Sequence, residues 1–238
     1  MAARRITRKE MKRDEFVTAM GRITFWMEDH ARQALILGGV LVAGVIGSVL
    51  FYQFLAQREE KASALLARGV EMLRVPVRGA DTPPAAPAYA TGDAKYRAVL
   101  DQMDALSQTY PRSRSGRLGL YYRGVAQLHL GKPKEAQAAL EEFLTSSPGS
   151  FAAPMARATL ARALDEAGEH QKALDLYEQL SRGEAGAYPP EAALLEMGLC
   201  LEKMGKKDDA NKIFERITRE FPNSEYAQDA RGRLKGLP

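Results

Sequence analysis

The sequence predicts an all-α protein: a single transmembrane helix followed by an α-solenoid of degenerate two-helix repeats. Three observations carry this. Residues 33–57 hold no charged side chain, small and turn-forming residues recur every 37 positions from residue 111 onward, and bulky apolar residues between those marks follow helical spacing.

The uncharged run reads QALILGGVLVAGVIGSVLFYQFLAQ and is bounded by Arg32 and Arg58. A helix of roughly 20 apolar residues crosses the hydrocarbon layer, so this run spans it. Gly39, Ala43 and Gly47 recur every four residues and share one helix face. Small side chains let a second helix approach closely, which makes this stripe a candidate packing surface for a membrane partner. Ahead of the span, Phe16, Met20, Ile23 and Met27 follow three-to-four spacing, as expected of an amphipathic helix at the membrane surface.

The formal charge of the 238 residues is +4, and its distribution decides what it means. Residues 1–32 carry eight Lys/Arg against five Asp/Glu, while residues 58–238 carry twenty-six against twenty-five. The long part is close to neutral, which argues against a nucleic-acid footprint. Export of a short tail containing Arg4, Arg5, Arg8, Lys9, Lys12 and Arg13 is disfavoured, whereas long domains translocate largely regardless of charge. The expected topology has the N-terminus in the cytoplasm and the C-terminal domain outside.

Pro111-Arg112-Ser113, Pro148-Gly149-Ser150 and Pro222-Asn223-Ser224 repeat one signal at separations of 37 and 74 residues. Proline stops one helix and serine caps the next. Within each unit, Gly131, Gly168 and Gly205 share the 37-residue register, as do Ala136, Ala173 and Ala210, and Gly124, Ala161 and Gly198. The first set supplies residues tolerant of positive φ at a hairpin turn, and the others supply small side chains where two helices cross. Leu120, Leu140, Phe143, Leu160, Leu164, Tyr177, Leu180, Leu194, Met197, Leu201, Phe214 and Ile217 are the expected core. Helices are predicted at about 114–130, 133–146, 151–167, 170–182, 190–204 and 207–220, with a capping helix at 224–234.

This yields four regions: a basic tail at 1–32, the span at 33–57, a helical extension with a flexible Pro/Ala-rich insertion at 58–92, and the repeats at 93–238. No residue pattern for catalysis, metal or cofactor is present. His30, His129 and His170 lie far apart and read as solvated, and Cys200 shares its register with Ala126 and Ala163, as a small core residue would. No enzymatic activity, cofactor, metal or small-molecule substrate is expected.

The pattern Gly198, Gly205, Ala210, Phe214 and Pro222 resembles the tetratricopeptide repeat in full. Other units depart from it: Arg123, Gln127 and Arg157 stand where apolar residues are usual, and the unit ending near residue 185 lacks its closing proline. The resemblance implies a solenoid that presents the first helix of each repeat on a concave face and binds proteins there. By register that face contains Tyr121, Val125, Ala158, Arg162, Leu195 and Leu199, with Asp165, Glu166, Glu202 and Lys203 near its edge. These positions are largely apolar, so the Lys/Asn clamp that some family members use for acidic C-termini is not expected. The whole layout resembles the bacterial inner-membrane family that serves as an ancillary subunit of the Sec translocon. That implies translocon subunits, exported polypeptides or periplasmic chaperones as partners. The stretch FPNSEYAQDARGRL also looks like repeats of envelope-assembly and Tol-associated proteins, which is the alternative.

Overall fold

A computed structural model describes residues 21, 30–79, 83, 86–183 and 188–236. The expected amphipathic helix at Phe16–Met27, and most of the basic tail, lie outside the described residues. The chain divides into two compact units, Met1–Gln57 and Arg58–Pro238.

Helix α1 runs Ala31–Arg74 and contains the apolar run. By length and composition it can cross a membrane. Its large side chains, Leu41, Ile46 and Phe51 among them, are exposed, and nothing lies within 4 Å of where a Cβ would stand at Gly39 or Gly47. The hydroxyl of Ser48 donates to the Gly44 carbonyl at 2.8 Å. That bond satisfies the serine hydroxyl of the apolar run within the helix itself.

The second unit begins with residues 58–74 of α1 and continues through α2 (Gly92–Thr109), α3 (Arg114–His129), α4 (Pro133–Ser146) and α5 (Ala153–Glu166). It ends with α6 (His170–Ser181), α7 (Pro190–Lys203), α8 (Lys207–Glu220) and α9 (Glu225–Leu234). From α2 onward each helix packs on the next, and α3 also meets α5 and α7 meets α9. Such nearest-neighbour packing is that of a solenoid.

Residues 58–74 prolong the helix beyond the apolar run, as expected, and also pack on the repeats. Ala62 packs with Val99, Met103, Leu106 and Ala126 in a buried cluster, and a Cβ at Gly69 would overlap the Met103 methyl at 1.8 Å. The Glu59 carboxylate accepts from the Arg114 and Ser115 N–H groups at 2.8 and 2.9 Å, and from the Ser115 hydroxyl at 2.7 Å. These are unpaired donors at the start of α3, so a carboxylate is well placed there. The insertion is also less free than expected: Val77 and Tyr89 form an isolated parallel bridge, with Arg78 N–H donating to the Tyr89 carbonyl at 2.8 Å and Tyr89 N–H to that of Pro76 at 2.9 Å.

The periodic residues act as their chemistry requires. Gly131, Gly168 and Gly205 have φ of 69°, 84° and 76°. At each, the following N–H reaches five residues back, Lys132 to Gln127 at 2.9 Å, Glu169 to Leu164 at 2.8 Å and Lys206 to Leu201 at 2.9 Å. This is the Schellman closure, which satisfies orphan carbonyls at the helix end. Ser113 and Ser224 cap α3 and α9 through their hydroxyls, at 2.8 and 3.2 Å from the Gly116 and Ala227 N–H groups. The middle copy differs. Ser150 accepts from Ala152 at 3.3 Å within a turn, so α5 begins at Ala153, two residues later than expected.

The core runs unbroken from α3 to α9, with Phe143, Tyr177, Leu180, Leu194, Phe214 and Ile217 fully buried. Met197, expected in the core, is only partly buried at its edge. Arg123, at an apolar position of the repeat pattern, reaches Glu142 at 3.4 Å and Asp104 at 3.8 Å, so its charge bridges α4 and α2.

Candidate protein-binding groove

The first helices of three successive repeats, α3, α5 and α7, border a cleft of about 230 Å³. Helix α3 contributes Tyr121, Val125, Leu128 and His129, and α5 contributes Met155, Ala158, Thr159 and Arg162. Tyr177 of α6 lies in its floor, Glu196 of α7 in its wall, and Tyr188, from the loop before α7, also lines it. Four residues expected from the register, Tyr121, Val125, Ala158 and Arg162, are brought together here. Leu195 and Leu199 are not: both are partly buried against the main core. The residue beside Leu195, Glu196, faces the cleft instead.

Three phenols dominate the surface. Burial pushes the Tyr188 hydroxyl up to about 12 and raises Tyr121 and Tyr177 as well, so all three remain neutral hydrogen-bonding groups at physiological pH. The Thr159 hydroxyl beside Tyr121 donates to the Met155 carbonyl at 2.9 Å. His129 stacks on Tyr96, ring centroids 4.0 Å apart and 5° from parallel, and burial lowers its pKa. The residue is exposed, as expected of a solvated histidine, and its ring is neutral at physiological pH.

Charge in the groove is uneven. Arg162 Nε donates to Glu166 Oε1 at 3.1 Å, one turn along α5. Glu196 makes no ion pair or hydrogen bond among the described residues. Burial raises its pKa, against the opposing pull of Arg162 and Lys203.

Behind the groove, Asp165, read from sequence as an edge residue, is buried. His170 Nδ1 donates to its Oδ1 at 2.7 Å and Lys203 Nζ to its Oδ2 at 2.5 Å. His170 is thus paired and half-buried, a departure from the solvated reading. Burial drives the Asp165 carboxyl up, and the hydrogen bonds from Lys203, Cys200 and His170 outweigh it and hold the carboxyl below its ordinary range. Asp165, His170 and Cys200 place potential ligand atoms within 4.8 Å of one another. A divalent cation would have to displace the Lys203 ammonium, and burial, followed by hydrogen bonding to Asp165 and its charge, pushes the Cys200 thiol up to about 12, far from a ligating thiolate. The arrangement is a buried carboxylate compensated from three sides, joining the end of α5 to α6 and α7.

Antiparallel helix pairs closed by positive-φ glycines, stacked on one core and bordering a shared groove, define an α-solenoid of two-helix repeats. Residues 122–180 and 192–224 match tetratricopeptide-repeat family models, and the solenoid is of that kind. The chain is similar in fold to the nearly identical TPR-like repeats of a Podosopora anserina kinesin light chain, at 14% identity, 76% coverage of this chain, 83% of that one and a TM-score of 0.50. It is likewise similar to a tetratricopeptide repeat protein from Parabacteroides merdae, at 17% identity, with 76% and 61% covered and a TM-score of 0.51. No curated protein matches the sequence. Tetratricopeptide repeats are in general non-enzymatic scaffolds that bind other proteins.

Proposed function

We propose that this chain is a membrane-tethered protein-binding scaffold of the bacterial inner membrane. Its N-terminus is cytoplasmic and its repeat domain periplasmic, where the cleft between α3, α5 and α7 takes an extended segment of a partner. The partner is the Sec translocon or the polypeptides it exports. The observation that carries the binding reading is the phenol-lined cleft: neutral amphipathic rings on a fixed scaffold supply contact area at little entropic cost. The tether rests on the exposed apolar run of α1. The translocon assignment rests on the order of basic tail, one apolar span and repeats.

Photocrosslinking in cells from position 121 of the full chain tests this. Crosslinks to translocon subunits or nascent exported chains are expected, and Tyr121→Glu should cut crosslinking from neighbouring groove positions about tenfold, the size of a hot-spot loss. Crosslinks confined to outer-membrane assembly factors would favour the envelope-assembly alternative. Cytosolic protease access to residues 58–238 would overturn the topology. Leu199→Glu should instead lower stability, since Leu199 packs on the core.

The Gly39–Ala43–Gly47 face is open and serves, on this reading, as the docking stripe for a partner's membrane helix. Gly39→Leu with Gly47→Leu should reduce co-purification of a membrane partner several-fold. Unchanged recovery would make the stripe incidental.

A further inference from the structure

We propose that the groove selects a basic side chain: a lysine or arginine of the bound segment passes between Tyr121 and Tyr188 and ends on the Glu196 carboxylate. This rests on the groove being the binding site, and goes beyond it by naming the chemistry recognised.

Glu196 is half-buried in the cleft wall with no ion pair or hydrogen bond among the described residues. A carboxylate drawn partly out of water without a partner is destabilising, and its neighbours have each avoided that position. Glu166 has Arg162 at 3.1 Å, and Asp165 has Lys203 and His170. The two cations that act on Glu196, Arg162 and Lys203, are therefore both engaged by other carboxylates. Glu196 is left as the cleft carboxylate whose compensation must come from outside.

The walls fit the same ligand. Aromatic faces attract ammonium and guanidinium groups, more strongly where water is excluded, and apolar surface from Val125, Met155 and Ala158 suits an aliphatic stem. A cleft of about 230 Å³ has room for one long side chain, equal to roughly eight waters at ~30 Å³ each, and not for a folded element. His129, the remaining titratable group on the α3 wall, is kept neutral by burial and does not oppose an incoming cation. An acidic side chain would meet Glu196 directly, so the site is opposite in sign to a carboxylate clamp.

The test is a positional-scanning peptide library captured by the full chain in detergent, for the wild type, Glu196→Gln and Tyr121→Glu. Lys or Arg should be enriched about tenfold over norleucine at one position, consistent with a charge-assisted pair in a partly dry site. In Glu196→Gln, which keeps the shape of the side chain, that enrichment should vanish while the apolar preferences at flanking positions persist. Enrichment of apolar residues alone, or a Lys/Arg preference unchanged in Glu196→Gln, would overturn the basic-side-chain assignment and leave the groove in place. Peptide capture equal in wild type and Tyr121→Glu would remove the groove itself, and the present inference with it.

Discussion

Gly198→Val is expected to unfold the last repeat while leaving the earlier ones folded. A Cβ at this position would stand 2.4 Å from Phe214 Cε1, with Cζ and Cδ1 at 2.9 and 3.0 Å, and the Phe214 ring is fully buried. The ring is packed among core side chains and cannot swing aside, so α7 and α8 must separate. Overpacking of this kind costs about 3 kcal/mol, and a branched side chain on a helix adds to it. Because repeats in a solenoid are stabilised by their immediate neighbours, the loss falls on α7–α9 and not on α2–α5. Hydrogen exchange should show protection lost across 190–234 and kept across 92–146. An unchanged melting temperature with uniform protection would show that the crossing has more slack than its geometry indicates. The equivalent residue two units earlier, Gly124, is as tightly placed, a Cβ there standing 2.6 Å from Leu140 Cγ, whereas Ala161 in the unit between carries a Cβ and is buried, so the position is always close and the facing side chain decides how close.

Lys203→Met should destabilise the domain by about 1–3 kcal/mol at neutral pH, the cost of leaving a buried acceptor short of its charged donor. The Asp165 side chain is 6% exposed, whereas Lys203 is 57% exposed, so the penalty lies in the carboxylate left behind and not in the lost lysine. The pH dependence follows from the depressed Asp165 pKa. A carboxyl whose folded pKa lies below its unfolded value contributes stability that is present above the unfolded pKa of 3.8 and is lost as pH falls through the folded value. Removal of Lys203 takes away the largest contribution to that depression. The gap between wild type and Lys203→Met should therefore be widest near neutrality and close as both are titrated into the acid range. Chemical denaturation at several pH values reads it directly, and a gap independent of pH would mean that Lys203 acts through packing alone.

Both predictions turn on residues whose roles were unequally visible in the sequence. Gly198 was legible because it recurs with Gly124 and Ala161, and a small residue kept in register implies a backbone crossing. Asp165 was not, because its register beside Glu166 places it only near the edge of the concave face. Nothing in the local pattern shows that Lys203, 38 residues later, comes back to cover it. His170 was missed for the same reason: its partner is five residues away across a turn, a spacing no helical template singles out.

The groove divides in the same way. Tyr121 and Ala158, like Val125 and Arg162, hold matching register positions, and all four reach the cleft. Thr159 and Glu196 are also 37 residues apart, a signal of the same strength one position along, yet Glu196 replaces Leu195 as the α7 contribution. Tyr188 comes from a Gly/Pro-rich stretch outside any register.

Residue order alone marks where the repeat helices start and stop to within a turn, which residues cross closely, and that one segment is long and apolar enough to cross a membrane. Those are local matters, set by positive φ at glycine, side-chain caps, and the size and polarity of single residues. Which side of α7 meets the cleft, that Asp165 is covered, and that Glu196 has no cation paired with it among the described residues emerge only from the packed helices. Those outcomes depend on how three helices, distant in the chain, rotate against one another to bury their largest side chains, and a repeat register carries no measure of that rotation.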